Sequence, residues 1–363
     1  MKKRSLLTVL LSLALVVALL VTGCSSGNEA NTNNNDGGNE GGNKEGEPLR
    51  VAVVLAGFLG DKSFNDSAWE GVQRAQEDFN LEVKVMESSV PADWESNLVA
   101  MAQDGYDLVI GVSTQLQEPI EKHADSFPDT KFALIDGVVK KDNVMSAVFA
   151  QNEGSFLAGA AAAMFTQKTD IPNVNEEKII GWVGGMDIPV LHDFLVGYEQ
   201  GAKYIDPETE ILVSFAGTFN DPLKGKELTL AQYSQGADIV MNVASNTGNG
   251  VLEAAHESGK YAIGVDLDQD GIYPGSILTS MLKRVDVTTY EIIKAVVEGN
   301  FKGGEIVEMN IANGGVGLTD MSVMKEALGD KFPEDILTTI KELEEKIKAG
   351  EIVVEHYEGF SYE

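Results

Sequence analysis

Cysteine is almost absent from this chain, since Cys24 is the only one in 363 residues. One cysteine near the N-terminus excludes a disulfide framework, a thiolate metal cluster and a cysteine nucleophile in the body of the protein. Histidine is scarce as well, and His123, His192, His256 and His356 are too scattered along the chain for a metal site. The sequence contains no G-x-S-x-G, H-E-x-x-H or kinase signature. We therefore expect a protein that is not an enzyme and that needs no metal or cofactor.

Basic charge is also in short supply. Lys and Arg together number 27 against 57 Asp and Glu, which gives a formal net charge of −30. Removing a leader that contains Lys2, Lys3 and Arg4 shifts this charge to −33. So acidic a surface repels nucleic acid and other polyanions, which excludes nucleic acid as a partner. A neutral or cationic small molecule is the easier ligand.

The N-terminus has the pattern of a secreted protein. The basic "MKKRS" precedes the apolar run "LLTVLLSLALVVALLV", and "VTGC" follows it. An uncleaved membrane anchor is the alternative, because this run with its flanks approaches the roughly 20 residues that span a bilayer. The "VTGC" ending resembles the lipobox of bacterial lipoproteins, which implies a signal peptide over 1–23 and lipidation of Cys24. The protein would then be extracytoplasmic and held at the cell membrane by its lipid.

Residues 24–48 predict a flexible tether. They are rich in Gly, Asn, Ser and Glu and carry almost no bulky apolar side chain, so they cannot bury enough surface to offset the entropy of ordering. A coil of this length reaches about 25–30 Å on average, which would hold a domain clear of the membrane.

From Leu49 onward, short β-branched runs alternate with longer amphipathic stretches. "LRVAVVLAG", "LEVKVME", "YDLVIGV" and "KFALIDG" form one series of predicted strands, and "KIIGWVGG", "EILVSFAG", "ADIVMNVAS" and "KYAIGVD" form another. Strict alternation of strand and helix predicts an α/β fold with parallel sheets flanked by helices. We expect lobe 1 over 49–150, lobe 2 over 151–282, and a return to lobe 1 with a C-terminal helix and short strand over 283–363. Several crossings between the lobes would form a hinge.

The glycine-containing stretch "AGFLGDKSFND" after the first strand raises the question of a phosphate loop. Gly57 and Gly60 have the wrong spacing for G-x-x-x-x-G-K-[ST], and Asp61 directly before Lys62 would repel a phosphate. The dinucleotide fingerprint fails as well. Asp66 or Ser67 is the expected N-cap of the following helix.

Several motifs together resemble one family. "GDKSFNDSAWEG", "FALIDG", "EGSFLAGAAAA", "VGGMDIPVLHDFLVGYEQG" and "GVDLDQDG", spread between Val51 and Gly317, are similar to the basic membrane protein family of bacterial lipoproteins, particularly its purine nucleoside receptor branch. The resemblance implies a substrate-binding protein of an ABC importer with a two-lobed type I periplasmic-binding fold. It also implies a nucleoside ligand, a membrane permease as partner, and a monomer.

The resemblance assigns two aromatic side chains to the base. Phe64 from the first lobe and Phe194 from the second would hold a nucleobase between them. Each has a structural alternative, because Phe64 would equally well cover the core of its lobe and Phe194 would fit the buried face of an amphipathic helix. Stacking of a base on an aromatic ring is worth about 1–3 kcal/mol.

Polar residues complete the expected site. By the resemblance, Asn65 and Asp136 would bond the polar edge of the base, and Asp266 and Lys283 would hold ribose hydroxyls. Asp61, Ser63 and Gly248 belong to the same set, and Gly248 would allow the sugar a close approach to the backbone.

Two features of the polar set stay open. Ser245-Asn246 departs from a family Gly-Gly pair, which leaves that contact open. Asp268 and Asp270 suggest a calcium loop, yet position 277 is Ile where such a loop needs Glu.

Two other functions stay open at this point. A receptor for a sugar or another small polar solute has the same architecture, and a nucleoside hydrolase would need a metal-binding carboxylate cluster or a placed general base.

Overall fold

The computed structural model describes residues 47–88 and 90–360. The expected signal peptide, Cys24 and nearly all of the expected tether lie outside the described residues. Among the helices of the described part, none combines the length and the apolar character that crossing a membrane requires.

The first sheet confirms the strand series predicted from Leu49 onward. Its strand order is β11-β5-β4-β3-β1-β2, and every neighbouring pair is parallel. The central strands are buried on both faces, whereas β2 lies at the edge and alternates between exposed and partly buried side chains. The strands are β1 Leu49–Leu55, β2 Leu81–Glu87, β3 Leu108–Val112, β4 Lys131–Ile135, β5 Val144–Phe149 and β11 Ile306–Met309.

The second sheet repeats this plan. Its order is β12-β10-β9-β8-β6-β7, with parallel pairing except between β10 and β12. The expected pair of helix-flanked parallel sheets is therefore confirmed. The strands are β6 Ile179–Gly184, β7 Glu210–Phe215, β8 Ala237–Val243, β9 Tyr261–Asp266, β10 Ile277–Lys283 and β12 Val316–Leu318.

Helices connect the strands of both sheets. The α-helices of the described residues are α1 Phe64–Asp78, α2 Trp94–Gln103, α3 Gln117–His123, α4 Gln151–Phe165, α5 Pro189–Ile205, α6 Pro222–Ser234, α7 Asn246–Ser258, α8 Val285–Val297, α9 Ser322–Leu328 and α10 Glu334–Lys348. Short 3₁₀ turns lie at Pro91–Asp93, Thr114–Leu116, Ala124–Ser126 and Gly329–Lys331.

The chain passes between the sheets three times, after β5, after β10 and after β11. The return to the first lobe consists of α8, which packs on α1, and β11. It is shorter than the expected 283–363, because β12 pairs with β10 and α10 packs against α4 in the second lobe. Lys283 itself ends β10, so it belongs to the second lobe.

The prediction of a short strand after the last helix is wrong. Residues 351–357 have irregular backbone. The physical reason is that their polar backbone groups bond side chains: Asn152 binds the carbonyl of Val354, and Gln200 binds both backbone groups of Glu355.

Helices α4 and α5 approach each other unusually closely through glycine. A Cβ on Gly201 would lie 1.8 Å from the carbonyl oxygen of Phe156, and one on Gly197 would lie 2.1 Å from that of Asn152. Backbone of one helix therefore rests directly on backbone of the other, which fixes α5 relative to the hinge.

We predict that Gly201→Ala destabilises the protein by at least about 1–3 kcal/mol, the usual cost of overpacking. Alanine is favoured over glycine inside a helix by about 1 kcal/mol, so a loss of stability isolates the close approach. Gly271→Ala is the control, because no heavy atom lies within 4 Å of its added Cβ. Urea unfolding measures both variants, and equal midpoints would contradict the prediction.

Candidate functional site

Backbone strain marks one region of the molecule. In the described part of the chain, eight residues other than glycine have positive φ. Five of them, Lys62, Ser113, Asp136, Ser245 and Asp266, lie at or just beyond the carboxyl ends of β1, β3, β4, β8 and β9. Such conformations persist where the surrounding structure enforces them, and they concentrate at functional sites. Both sheets direct these ends toward each other, where ligands of open α/β sheets bind.

A cavity of about 660 Å³ lies between these two sets of loops. Its wall combines several apolar side chains with a few polar ones and draws on both lobes. The lining residues are Ala56, Gly57, Phe64, Asn65, Ser113, Thr114, Gln115, Asp136, Ile188, Val190, Leu191, Phe194, Phe219, Asn220, Val243, Ala244, Ser245, Asp266 and Lys283.

The two predicted aromatic residues both line this cavity. Lys283 Nζ lies 5.4 Å from the ring centroid of Phe64 and 5.1 Å from that of Phe194. The centroids are therefore no farther apart than the sum of these distances. Each ring also packs against the hydrophobic core. Phe64 and Phe194 therefore have the structural role that was the alternative to ligand binding, and they line the cavity as well. Phe149 contributes a third ring, 4.9 Å from the same ammonium.

A buried ion pair joins the lobes at the cavity. Lys283 Nζ at the end of β10 lies 2.7 and 2.8 Å from the two carboxylate oxygens of Asp136, which follows β4. The Lys283 side chain is 1% exposed and that of Asp136 is 8% exposed. The sequence analysis assigned Asp136 to the base and Lys283 to the sugar. In the structure these two side chains form an ion pair with each other.

Asp266 faces the same ammonium from the end of β9. It accepts a hydrogen bond from the hydroxyl of Ser63 in the first lobe. Burial raises the pKa of Asp266 to about 7; the Lys283 ammonium and the Ser63 hydroxyl oppose this rise in part, and Asp61 and Asp136 add to it. This carboxyl therefore changes its protonation state near neutral pH.

Asp61 has a different task from the one expected. The helix α1 begins at Phe64, and neither Asp66 nor Ser67 is its N-cap. The buried Asp61 carboxylate instead accepts from the backbone N–H groups of Ser63, Asn65 and Asp66 and from the Asn65 amide. An acidic group at a helix N-terminus is favoured by the helix dipole as well. This capping orients Phe64 and Asn65 toward the cavity.

The Asp61 loop also contacts the second lobe. Ser245 Oγ donates to the Asp61 carboxylate at 2.8 Å, and Asn249 Nδ2 donates to its carbonyl oxygen at 3.1 Å. Gln269 Nε2 donates to the carbonyl oxygen of Lys62 at 2.7 Å. The lobes are therefore closed on each other along this loop.

Three members of the expected set lie outside the cavity wall: Asp61, Ser63 and Gly248. A Cβ on Gly248 would lie 2.1 Å from Asn242 Oδ1, so this glycine makes room for a buried amide and not for a sugar. Ser245, the first residue of the Ser-Asn pair that replaces the family's Gly-Gly, lines the cavity. Its hydroxyl donates a hydrogen bond to the Asp61 carboxylate.

Sequence reasoning missed part of the wall. Ser113, Thr114 and Gln115 follow β3, and Phe219 and Asn220 follow β7. Their position directly after predicted strands is a signal that points to them, but loops after strands are too many to select from without the fold. His192, which also lies on α5, bonds Asp187 and stacks on Tyr357.

Two sheets of this topology, joined by three crossings around an interlobe cavity, form a two-lobed fold of the type I periplasmic-binding class. The family model for the Bmp family, described as "ABC transporter substrate-binding protein PnrA-like", matches residues 49–358. The chain belongs to this family and is an ABC transporter substrate-binding protein.

Individual relatives agree with this assignment. The ABC transporter nucleoside-binding protein BmpA of Lactococcus lactis is 35% identical, with 74% of this chain and 81% of BmpA covered. Basic membrane protein A2 of Borrelia garinii is 32% identical over 86% of this chain and 90% of its own. A solved ABC transporter solute-binding protein from Aeropyrum pernix is 33% identical, with a TM-score of 0.79 and coverage of 86% and 95%.

Asp266 gives a pH-dependent prediction for the ligand-free protein. Its folded pKa of about 7 lies above the unfolded value near 3.8, so the folded state holds an extra proton between these values. The free energy of unfolding therefore falls as pH rises across this interval, by up to a few kcal/mol at about 1.4 kcal/mol per pKa unit. Asp266→Asn should raise the melting temperature over wild type at pH 8 and much less at pH 5.

The control is Asp268→Asn, which changes an exposed carboxylate in the same loop. Thermal unfolding at both pH values decides the matter. A stabilisation by Asp266→Asn that is equal at pH 5 and pH 8 would show that the Asp266 proton is not the cause.

Proposed function

We propose that this chain captures a nucleoside, with a purine preferred, in the interlobe cavity and delivers it unchanged to an ABC permease. The observation that carries the proposal is that Phe64 and Phe194, one from each lobe, line one cavity around a shared ammonium. Two aromatic faces suit a planar heterocycle, whereas one face is sufficient for a sugar. A base that enters between the rings has to displace the Lys283 ammonium from them.

The polar residues support a ligand with a base edge and a hydroxylated sugar. Asn65 offers both a donor and an acceptor, and the Asp136 carboxylate accepts from amino or imino groups of the kind that adenine and guanine carry. Asp266 and the displaced Lys283 are the charged partners for ribose hydroxyls, since charge-assisted hydrogen bonds are about twice as strong as neutral ones. The apolar walls from Ile188, Leu191 and Phe219 leave room for the flat part of the ligand.

The name of the Lactococcus lactis relative adds independent support, because that protein is described as nucleoside-binding. A hydrolase would need a group that activates water. Within residues 47–88 and 90–360, no three or more His, Cys, Asp or Glu side chains are placed to hold a metal ion. Incubation of the purified protein with inosine tests this point, and release of free hypoxanthine would overturn the receptor proposal.

The cellular setting follows from the N-terminus and the family. We propose that the signal peptide is removed, that Cys24 carries the lipid anchor, and that the tether presents a monomeric receptor outside the cytoplasm. A relative from Pyrococcus abyssi, 33% identical, is described as a lipoprotein. Closure around the ligand would present both lobes to the permease, as hinge-bending binding proteins do.

A thermal-shift panel tests the ligand class. Adenosine, guanosine and inosine should raise the melting temperature more than cytidine, uridine, ribose or free bases. Phe64→Ala and Phe194→Ala should each weaken purine nucleoside binding by about 5- to 150-fold, the equivalent of about 1–3 kcal/mol of stacking.

Phe301→Ala serves as the matched control, because Phe301 is a partly buried core residue outside the cavity. It should lower the melting temperature without changing the ligand-induced shift. Full shifts in both cavity variants, or a larger shift with ribose than with any nucleoside, would refute the proposed ligand.

A further inference from the structure

The C-terminal segment Val354–Phe360 lies along the second lobe. Asn152 Nδ2 on α4 donates to the carbonyl oxygen of Val354 at 2.9 Å. On α5, Gln200 Nε2 donates to the carbonyl oxygen of Glu355 at 2.8 Å, while Glu355 N donates back to Gln200 Oε1 at 3.0 Å. A side-chain amide that pairs with the backbone in both directions fixes the register of the segment on the helix.

The segment also satisfies a buried carboxylate near the start of α5. Asp193 is fully buried. Its oxygens lie 3.0 and 3.2 Å from His356 Nδ1, and it accepts from Tyr357 N at 2.9 Å and from Gln151 Nε2 at 2.6 Å. Burying a carboxylate is costly unless it is hydrogen-bonded, so Asp193 depends on the segment for two of these three partners.

The same turns of α5 form the cavity wall. Phe194 directly follows Asp193, and Val190 and Leu191 lie one turn earlier. One face of these turns therefore contacts the C-terminal segment while another faces the ligand cavity. The Tyr357 ring stacks on His192 with centroids 4.8 Å apart, which adds an aromatic contact to the same turn.

The end of the segment reaches the edge of the cleft. Gly359 and Phe360 line a second cavity of about 1060 Å³ together with Pro189 at the start of α5 and Lys140 of the first lobe. A displacement of the first turns of α5 would therefore change their contacts with the segment, and a displacement of the segment would change the same contacts.

We propose that the segment Val354–Phe360 positions the Phe194 ring for ligand stacking by holding Asp193 through His356 and Tyr357. His356 is a positioning residue, since it does not line the ligand cavity. The effect on binding rests on the proposed nucleoside function. The effect of the segment on the position of α5 does not depend on which ligand binds.

Protonation of His356 strengthens this hold. Three acidic side chains face the imidazole from three elements: Asp193 on α5, Glu153 on α4 and Glu308 on β11. The hydrogen bond to Asp193 is the main cause of a raised His356 pKa, against an opposing effect of burial. A raised folded pKa means that the stabilisation is complete at low pH and is lost as pH rises through that pKa.

The first experiment compares His356→Gln with wild type. The His356 side chain is 48% exposed, so the replacement is tolerated sterically. Isothermal titration calorimetry with the best nucleoside of the panel at pH 6 should show about tenfold weaker binding by His356→Gln, the equivalent of one charge-assisted hydrogen bond. His256→Gln is the matched control, because His256 on α7 is an exposed histidine that stacks on Tyr273. The nucleoside affinity of this variant should equal that of wild type.

The pH profile separates positioning from simple loss of packing. Asp266 titrates in the same range in every variant, so the difference between variants isolates His356. Raising the pH from 6 to 8.5 should bring wild type toward the weaker affinity of His356→Gln. His356→Arg, which keeps a positive charge toward Asp193, should retain tight binding at pH 8.5.

Amide hydrogen exchange of residues 190–195 in the ligand-free protein gives a readout that needs no nucleoside. Faster exchange there in His356→Gln than in His256→Gln supports the hold on α5 even if no nucleoside binds, in which case the proposed function fails by itself. Equal exchange in the two variants, or equal affinities and pH profiles where a nucleoside does bind, would overturn the inference.

Discussion

The buried ammonium of Lys283 is the point on which the arrangement of the two lobes depends. A charge removed from water costs several kcal/mol unless it is paired. Here the pairing comes from Asp136 of the opposite lobe, and the rings of Phe64, Phe149 and Phe194 surround the same group. Asp136 therefore satisfies the central charge of the contact between the lobes. A ligand that enters between the rings must replace these interactions, which makes selectivity a matter of matching both the aromatic faces and the charges.

The surrounding carboxylates explain why this pairing is finely balanced. Asp136 pairs with Lys283, whereas Asp266 is buried near Asp61 and Asp136, and its pKa, raised to about 7, allows it to take up a proton near neutral pH. The Asp61 oxygens accept hydrogen bonds from the N-terminus of α1 and from Ser245. Strained backbone at the ends of five strands holds these groups in place, which is a cost that a purely structural interface would not require.

Much of the fold follows from local pattern, whereas the site does not. "LEVKVME" and "LRVAVVL" were both predicted to be strands from their local pattern, and the structure places the first at a sheet edge as β2 and the second in the sheet interior as β1. The roles proposed for Phe64 and Phe194 came from family resemblance alone. The capping by Asp61, the room that Gly248 leaves for Asn242 and the contact of His356 with Asp193 depend on residues far apart in sequence. Ser63 and Asp266, for example, are 203 positions apart. No local pattern encodes such a meeting, so these features appear only once the sheets are assembled.

The central claim is that a planar base replaces the Lys283 ammonium between two rings from different lobes. A crystal structure of the protein with the purine nucleoside that gives the largest thermal shift measures this directly. The account predicts a base with Phe64 on one face and Phe194 on the other, and a Lys283 ammonium displaced from the rings toward the sugar. A nucleoside bound elsewhere, or a base in the cavity with either ring turned away and Lys283 unmoved, would contradict it.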